Sequence, residues 1–253
     1  MRADPFGLAT DDGVTILFED LDFRVGKGSI SSTVVPATGA ESPADLARTL
    51  AVHLAYPYLF VHEGRIYCIP DSSAQCEVNL FRAIEFPSQW EKAATLIADY
   101  PAADSTVFHW GDYWWLFCGE WGDKPNAKLR GWYSSNLFGQ WKRHALDPLK
   151  EDVRSSRSAG TPFVVDGVLY RPAQDCSETY GGAITINRVL ELSPTEFREE
   201  PVRSLRPAKQ GPYPAGCHTL SAAGSVTLID GKRRIVTLDK ISRAARRGRK
   251  RRA

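Results

Sequence analysis

Residues 56–70 read YPYLFVHEGRIYCIP: an aromatic and aliphatic run from Tyr56 to Phe60, a polar turn at His62-Glu63-Gly64, and a second apolar run from Ile66 to Ile69. Tyr, Phe, Ile and Val favour the pleated, half-buried surface of a strand. The glycine supplies the positive φ that a tight hairpin loop needs. The same pattern recurs along the chain. Asp4–Leu8 and Val14–Phe18 flank Asp11-Asp12-Gly13; Asp104–Phe108 and Tyr113–Cys118 flank Gly111-Asp112. Thr161–Val165 and Val168–Tyr170 flank Asp166-Gly167; His218–Ser221 and Val226–Ile229 flank Gly224.

Each hairpin is followed by a third apolar run, at Ser29–Val35, Glu77–Ile84, Leu129–Tyr133, Ala183–Leu190 and Arg234–Leu238. More polar fourth strands follow at Ala93–Ala98, Trp141–His144 and Phe197–Val202. Antiparallel units of three to four strands, repeating every ~50 residues, are the signature of a β-propeller. Five units predict an all-β, five-bladed propeller over residues 1–239 as a single domain. One short helix is expected at Ala44–Leu54, with Ser42 as its cap and Pro43 in its first turn. The chain enters the first innermost strand by residue 4. No N-terminal strand is left to complete the last blade, so incomplete ring closure is expected.

The 253 residues carry a net charge of +2 that conceals a split. Residues 240–253 hold eight bases and no acid, which leaves 24 bases against 30 acids before them. An acidic globule thus ends in a basic tail, expected to be disordered. The tail has no aromatic interleaving and no recognition fold, so no specific nucleic-acid partner is expected. No stretch approaches the ~18 apolar residues of a membrane span. The N-terminus, Met1-Arg2-Ala3-Asp4-Pro5, has no apolar leader, which suggests a cytoplasmic protein. Five scattered cysteines without a CxxC pattern read as free, mostly buried thiols.

In a propeller, the innermost strands start near the mouth of the central channel, where side chains converge from every blade. The residues at those starts are Asp4, Tyr56, Asp104, Arg157-Ser158-Ala159 and His218. Charged groups at equivalent positions in different blades point to a site; as an alternative, Asp4 and Asp104 cap turns. Arg154, Arg157 and Arg171, with Gln174, Asp175, Tyr180 and His218, form a polar set suited to an anionic sugar, a sugar phosphate or a uronate, since guanidinium forks match such oxygens. The alternative is an Arg–Asp network stapling blades four and five. All seven tryptophans lie between positions 90 and 141. Trp114 and Trp115 must face opposite sides of one strand. One belongs to the core, and the other, with Trp110 or Trp121, is a candidate sugar platform.

Ala3-Asp4-Pro5-Phe6 followed by Leu17-Phe18-Glu19 resembles the first blade of propellers related to glycoside hydrolase family 43. Closer still, YPYLFVHEGRIYCIP (56–70), WKRHALDPLKEDVRSSRSAG (141–160), LYRPAQDCSETYGG (169–182) and GCHTL (216–220) with IDGK (229–232) resemble the N-terminal domain of glucosamine inositolphosphorylceramide transferases and their bacterial relatives. The resemblance covers nearly everything but the tail. It implies a carbohydrate ligand and, as a partner, a separate transferase domain or protein. From the family 43 pattern it implies Asp4 as general base and Asp104 as the group that tunes the acid. That pattern has its acid, a Glu, on the fourth innermost strand. Here the stretch reads Ser158-Ala159-Gly160-Thr161-Pro162, so Asp175, Glu178 and Glu19 remain as candidates.

No zinc-spaced His/Cys set or nucleotide-binding glycine pattern is present, and no cofactor is expected. The resemblance allows a channel Ca²⁺ near His218. Two functions stand open: a carbohydrate-active domain, catalytic if the acid is supplied, or a non-catalytic sugar-binding domain serving a transferase. Asp4, Asp104 and Asp175 are the catalytic candidates. Glu19, Tyr56, Arg154, Arg157, Arg171, Gln174, Tyr180 and His218 are the binding candidates.

Overall fold

The hairpins read from the sequence are the hairpins of the structure. The structure, a computed structural model, describes residues 1–24, 26–36, 53–122 and 124–233. Strands β1 (Arg2–Thr10), β2 (Gly13–Asp22) and β3 (Lys27–Pro36) make the first sheet. Strands β4 (Ala55–His62), β5 (Arg65–Asp71), β6 (Val78–Glu85) and β7 (Gln89–Ile97) make the second. The third holds β8 (Ala102–Trp110), β9 (Tyr113–Glu120), β10 (Lys128–Ser134) and β11 (Lys142–Arg143), with the short β12 (Lys150–Glu151) also paired to β10. The fourth is β13 (Phe163–Val165), β14 (Val168–Asp175), β15 (Ala183–Leu192) and β16 (Phe197–Leu205). A last hairpin joins β17 (Leu220–Ala223) and β18 (Val226–Ile229). Every strand pairing is antiparallel, and all but that of β12 with β10 join neighbours in sequence, which is the meander of a propeller blade.

The expectation of five blades with three to four strands each is corrected. Among the described residues four sheets reach three strands, and the fifth unit is a two-stranded hairpin. Its expected third strand, Arg234–Leu238, lies outside the described residues, as does the tail. So does the helix expected at Ala44–Leu54, apart from its last two residues, which are not helical. Among the described residues no sheet combines strands from the two ends of the chain. The last hairpin nonetheless packs against the first sheet, where Val14, Ala223 and Leu228 form an apolar cluster and Ser221 Oγ donates to the Pro5 carbonyl at 2.6 Å.

Large side chains fill the wedges between sheets. Phe6, Leu17, Tyr56, Tyr58, Ile69, Leu80 and Leu116 are all 2% exposed or less and belong to one continuous core. Tyr58 brings its polar end into that core and satisfies it by donating to the Val107 carbonyl at 2.7 Å. Most tryptophans are structural: Trp115 is fully buried, while Trp114 packs on Phe60 and His62. Trp90 and Trp141 donate to nearby carbonyls of Pro87 and Leu137. The five cysteines are free, and four of them are buried.

The innermost strands share one irregularity that positions the site. In β1, β4 and β8 the register shifts across Ala3/Phe6, Ala55/Tyr58 and Ala103/Thr106. At each shift one residue is left-handed: Asp4 at φ 53°, Tyr56 at φ 43° and Asp104 at φ 52°. Such a conformation costs a non-glycine residue ~1–3 kcal/mol. It also turns that one side chain away from the strand's alternation.

The fourth innermost strand breaks differently. Gly160, at φ 116°, approaches Leu220 so closely that a Cβ would lie 1.8 Å from the Leu220 carbonyl oxygen. Only glycine fits there. Leu220 N–H donates to the Ala159 carbonyl, and Thr161 N–H donates to the Leu220 carbonyl. Residues 157–159 still pair with β14, through Ala159 N–H to the Pro172 carbonyl and Gln174 N–H to the Arg157 carbonyl, but at Gly160 and Thr161 the chain turns to Leu220 and ties the fourth unit to the last hairpin, so β13 begins only at Phe163.

Candidate functional site

The three kinked residues have different fates. Tyr56 is fully buried. Its hydroxyl accepts the Gly160 N–H at 2.8 Å and meets the Thr106 hydroxyl at 3.0 Å, so it staples three sheets together at the centre. Asp4 and Asp104 remain charged groups at the convergence point, 6% and 4% exposed.

Asp104 is held from two sides. Arg157 Nε donates to its Oδ2 at 2.6 Å, and Gln174 Nε2 reaches the same oxygen at 3.3 Å. Its kinked backbone N–H donates to Asp71 Oδ2 at 3.2 Å. Burial raises the Asp104 carboxyl to about 6: Arg157 opposes the rise, while Asp71 and Asp4 add to it. Arg157 Nη1 also donates to Asn126 at 3.1 Å. The guanidinium lies over two aromatic rings, 5.4 Å from the centre of Trp121 and 5.1 Å from that of Tyr180. Both rings are about half exposed. This sandwich is the partly open part of the site.

Asp4 belongs to a second group. Thr219 Oγ1 donates to it at 2.5 Å, and His218 Nδ1 lies 3.8 Å away. His218 also donates to Asp230, whose other oxygen accepts the His218 and Thr219 backbone N–H groups at 2.8 and 3.1 Å. Burial opposes a charge on His218, but Asp4 and the bond to Asp230 outweigh it and hold the imidazolium up to about 9. Burial likewise raises Asp4, against the pull of His218 and Thr219. Tyr180 joins the two groups, its ring edge-on to His218 at 5.4 Å. Glu19, at the end of β2, faces the same charges. Burial first, then repulsion from Asp4 and Asp104, pushes it up to about 7.

Other expected residues lie elsewhere or do other work. Arg171 grips Glu199 through both ends of its fork, at 2.9 and 2.6 Å, and donates to the Ser155 and Ser156 carbonyls. Arg154 is exposed and pairs with Asp152 at 3.0 Å. Asp175 accepts the Ser177 N–H at 3.0 Å and faces Arg206 at 3.4 Å, lining a different cavity. The residues not singled out from the sequence as members of the site are Asp230, Thr219, Asp71 and Asn126. Asp230 had a signal: the register about Gly224 pairs Leu220 with Ile229, and so sets Thr219 beside Asp230.

Asp4, His218 and Asp230 offer ligand atoms within 4.8 Å of one another. The set fits Ca²⁺ poorly. Two carboxylates and an imidazole kept protonated fall short of the roughly 6–8 oxygen ligands that this cation takes.

Residues 1–212 match the family model described as glucosamine inositolphosphorylceramide transferase 1, N-terminal. The chain belongs to this family. Curated relatives of that name include one from Arabidopsis thaliana, 34% identical over 246 residues and 91% of this chain, and one from Oryza sativa subsp. japonica, 32% identical over the same span. The chain spans about a third of the length of these relatives, 32% and 33% respectively.

Among solved structures, the catalytic domain of a Coprinopsis cinerea family 62 α-L-arabinofuranosidase is similar at a TM-score of 0.62 and 11% identity, over 93% of this chain and 86% of that one. Zg3597, a family 117 glycoside hydrolase of Zobellia galactanivorans, is similar at 0.60 and 13%, over 85% and 72%. These likenesses show the propeller fold. No helix of the described residues is long and apolar enough to cross a membrane.

Proposed function

We propose that this propeller is a sugar-recognition domain. Its binding face would be the Trp121–Arg157–Tyr180 sandwich above Asp104, walled on the far side by Asp4 and His218, with hairpin β17–β18 standing as the fifth blade. The observation that carries the reading is the sandwich itself. A cation fixed by Asp104 and Asn126 holds two half-exposed rings in place, and rigid aromatic faces beside a few convergent polar groups are what a small-ligand site uses.

The charge balance narrows the ligand. Asp4, Asp71, Asp104 and Asp230 outnumber Arg157 and His218, and Arg154, Arg157 and Arg171 each have a carboxylate partner. A neutral or amino-bearing sugar therefore suits this face better than an anionic one. Glucosamine, the sugar in the relatives' name, is of that kind. The domain would serve a transferase borne on a separate domain or protein.

Hydrolysis is the second reading, favoured by Glu19. A carboxyl at about 7 suits a proton donor near neutral pH, with Asp4 taking the proton from water. A glycan array with wild type, Trp121→Ala and Asp4→Asn tests both. Binding to glucosamine-bearing glycans that survives Asp4→Asn, is lost in Trp121→Ala and releases no sugar supports recognition. Sugar release abolished by both Asp4→Asn and Glu19→Gln would establish the hydrolase instead, and failure to bind any sugar would refute both.

A further inference from the structure

A second cleft adjoins the acidic site and carries the opposite charge. It lies between the start of β1 and the loops flanking β17 and β18, with a volume of about 490 Å³. Arg2, Phe23, Tyr213, His218, Lys232 and Arg233 line it. Asp230 is the one acid in its lining, and that carboxylate is already committed to His218 and two backbone N–H groups.

The three cations have no such commitment. Arg2 lies over the Phe18 ring at 5.3 Å and Arg233 over the Tyr213 ring at 5.9 Å. Neither has a carboxylate partner among the described residues. Lys232 Nζ donates to two neutral oxygens, Thr179 Oγ1 and the Tyr180 carbonyl. Each guanidinium thus sits over an aromatic ring, and among the described residues neither has a hydrogen-bond partner. The Tyr213 ring is itself seated on Gly231, where a Cβ would come 2.6 Å from its Cγ.

This cleft borders the proposed sugar site. His218 is a wall of both, and Lys232 holds the backbone of Tyr180, whose ring covers Arg157. A ligand spanning the two would place an uncharged or amino-bearing part against the carboxylates and an anion against Arg2, Lys232 and Arg233. We propose that the cleft is a subsite for a phosphoryl group carried by the same ligand that the sugar face binds. The proposal rests on the sugar-recognition reading for the ligand's other half, but the cleft can be tested without it.

Calorimetric titration of the full chain with inorganic phosphate reads the cleft alone. Arg2→Ala and Arg233→Ala should each weaken phosphate binding on the order of tenfold, since each removes a charge-assisted pair. Arg188→Ala, at an exposed arginine paired with Glu200, should leave it unchanged. Phosphate that binds the Arg2→Ala/Arg233→Ala double variant as well as wild type overturns the proposal, as does no phosphate binding to wild type. Trp121→Ala separates the two ideas: it should abolish glucosamine binding while phosphate still binds.

Two further arms separate the sources of the phosphoryl group. Glucosamine 6-phosphate should bind more than tenfold tighter than glucosamine if the ligand is a soluble sugar phosphate. Phosphatidylcholine vesicles containing phosphatidylinositol should retain wild type over the double variant if it is a lipid headgroup. Both proteins carry the same basic tail, so any difference belongs to the cleft. Equal behaviour of wild type and double variant in both arms also overturns the proposal.

Discussion

Arg157 and Arg171 begin alike and end as opposites. Both are 3% exposed, both stand at the fourth unit and both hold a buried carboxylate. Arg171 is sealed: two bonds to Glu199, two backbone carbonyls, and Lys150 on the same carboxylate at 2.9 Å. Arg157 gives Asp104 only its Nε and presents its flat faces to two half-exposed rings. The first is a staple and the second a platform. The difference lies in how many of the guanidinium's five donors the protein itself consumes.

The largest effect should come from breaking the staple. Glu199→Gln leaves Arg171 and Lys150 facing each other without their anion and should destabilise the fold by about 3–5 kcal/mol. Thermal melting should then fall on the order of 10 °C. A negligible shift would mean that the seal is not tight.

Next comes the pH response of the platform's surroundings. Glu19 rises from an ordinary 4.5 to about 7 on folding, so its contribution to stability is fully present below pH 4.5 and lost as pH climbs to 7. His218 rises from 6.5 to about 9, so its contribution is present below pH 6.5 and lost as pH passes 9. Urea unfolding at pH 5, 7 and 9 should show stability falling at both steps. Glu19→Gln should shrink the first step by up to about 3 kcal/mol, leaving the part that Asp104, raised to about 6, contributes, and leave the second step intact.

Asp104→Asn should cost less stability than Glu199→Gln, about 1–3 kcal/mol, because Arg157 keeps Asn126 and its two rings. Denaturant unfolding checks that figure, and sugar binding should weaken far more than stability. Trp121→Ala, at a half-exposed ring, should change stability least, within about 0.5 kcal/mol, yet abolish sugar binding. Equal losses of stability from Glu199→Gln and Asp104→Asn would erase the distinction between staple and platform.

Much of this could be read in one dimension. Strand alternation and turn glycines are local properties, so four hairpins and their outer strands were legible, although β2 and β14 run four and five residues beyond the expected ends and β7 starts four residues earlier. That Asp4, Asp104 and His218 converge was legible because a repeat places equivalent positions at one end of the channel. The fourth unit was misjudged at Thr161-Pro162, since Gly160's approach to Leu220 joins residues 60 positions apart. Arg154, Arg157 and Arg171 looked alike because composition does not reveal partners. Asp152, Asp104 and Glu199 lie 2, 53 and 28 residues away from them, Asp104 in a different sheet and Glu199 two strands over.

The sequence by itself determined the repeating antiparallel meander, the free cysteines and the acidic character of the body, because each follows from local pattern or simple count. The tertiary structure alone decided which charges are spent on one another and which face outward. That choice depends on the left-handed kinks at Asp4, Tyr56 and Asp104 and on packing between sheets, both properties of the assembled ring. It separates the carboxylate-rich centre around Asp4 and Asp104 from a cationic cleft one histidine away.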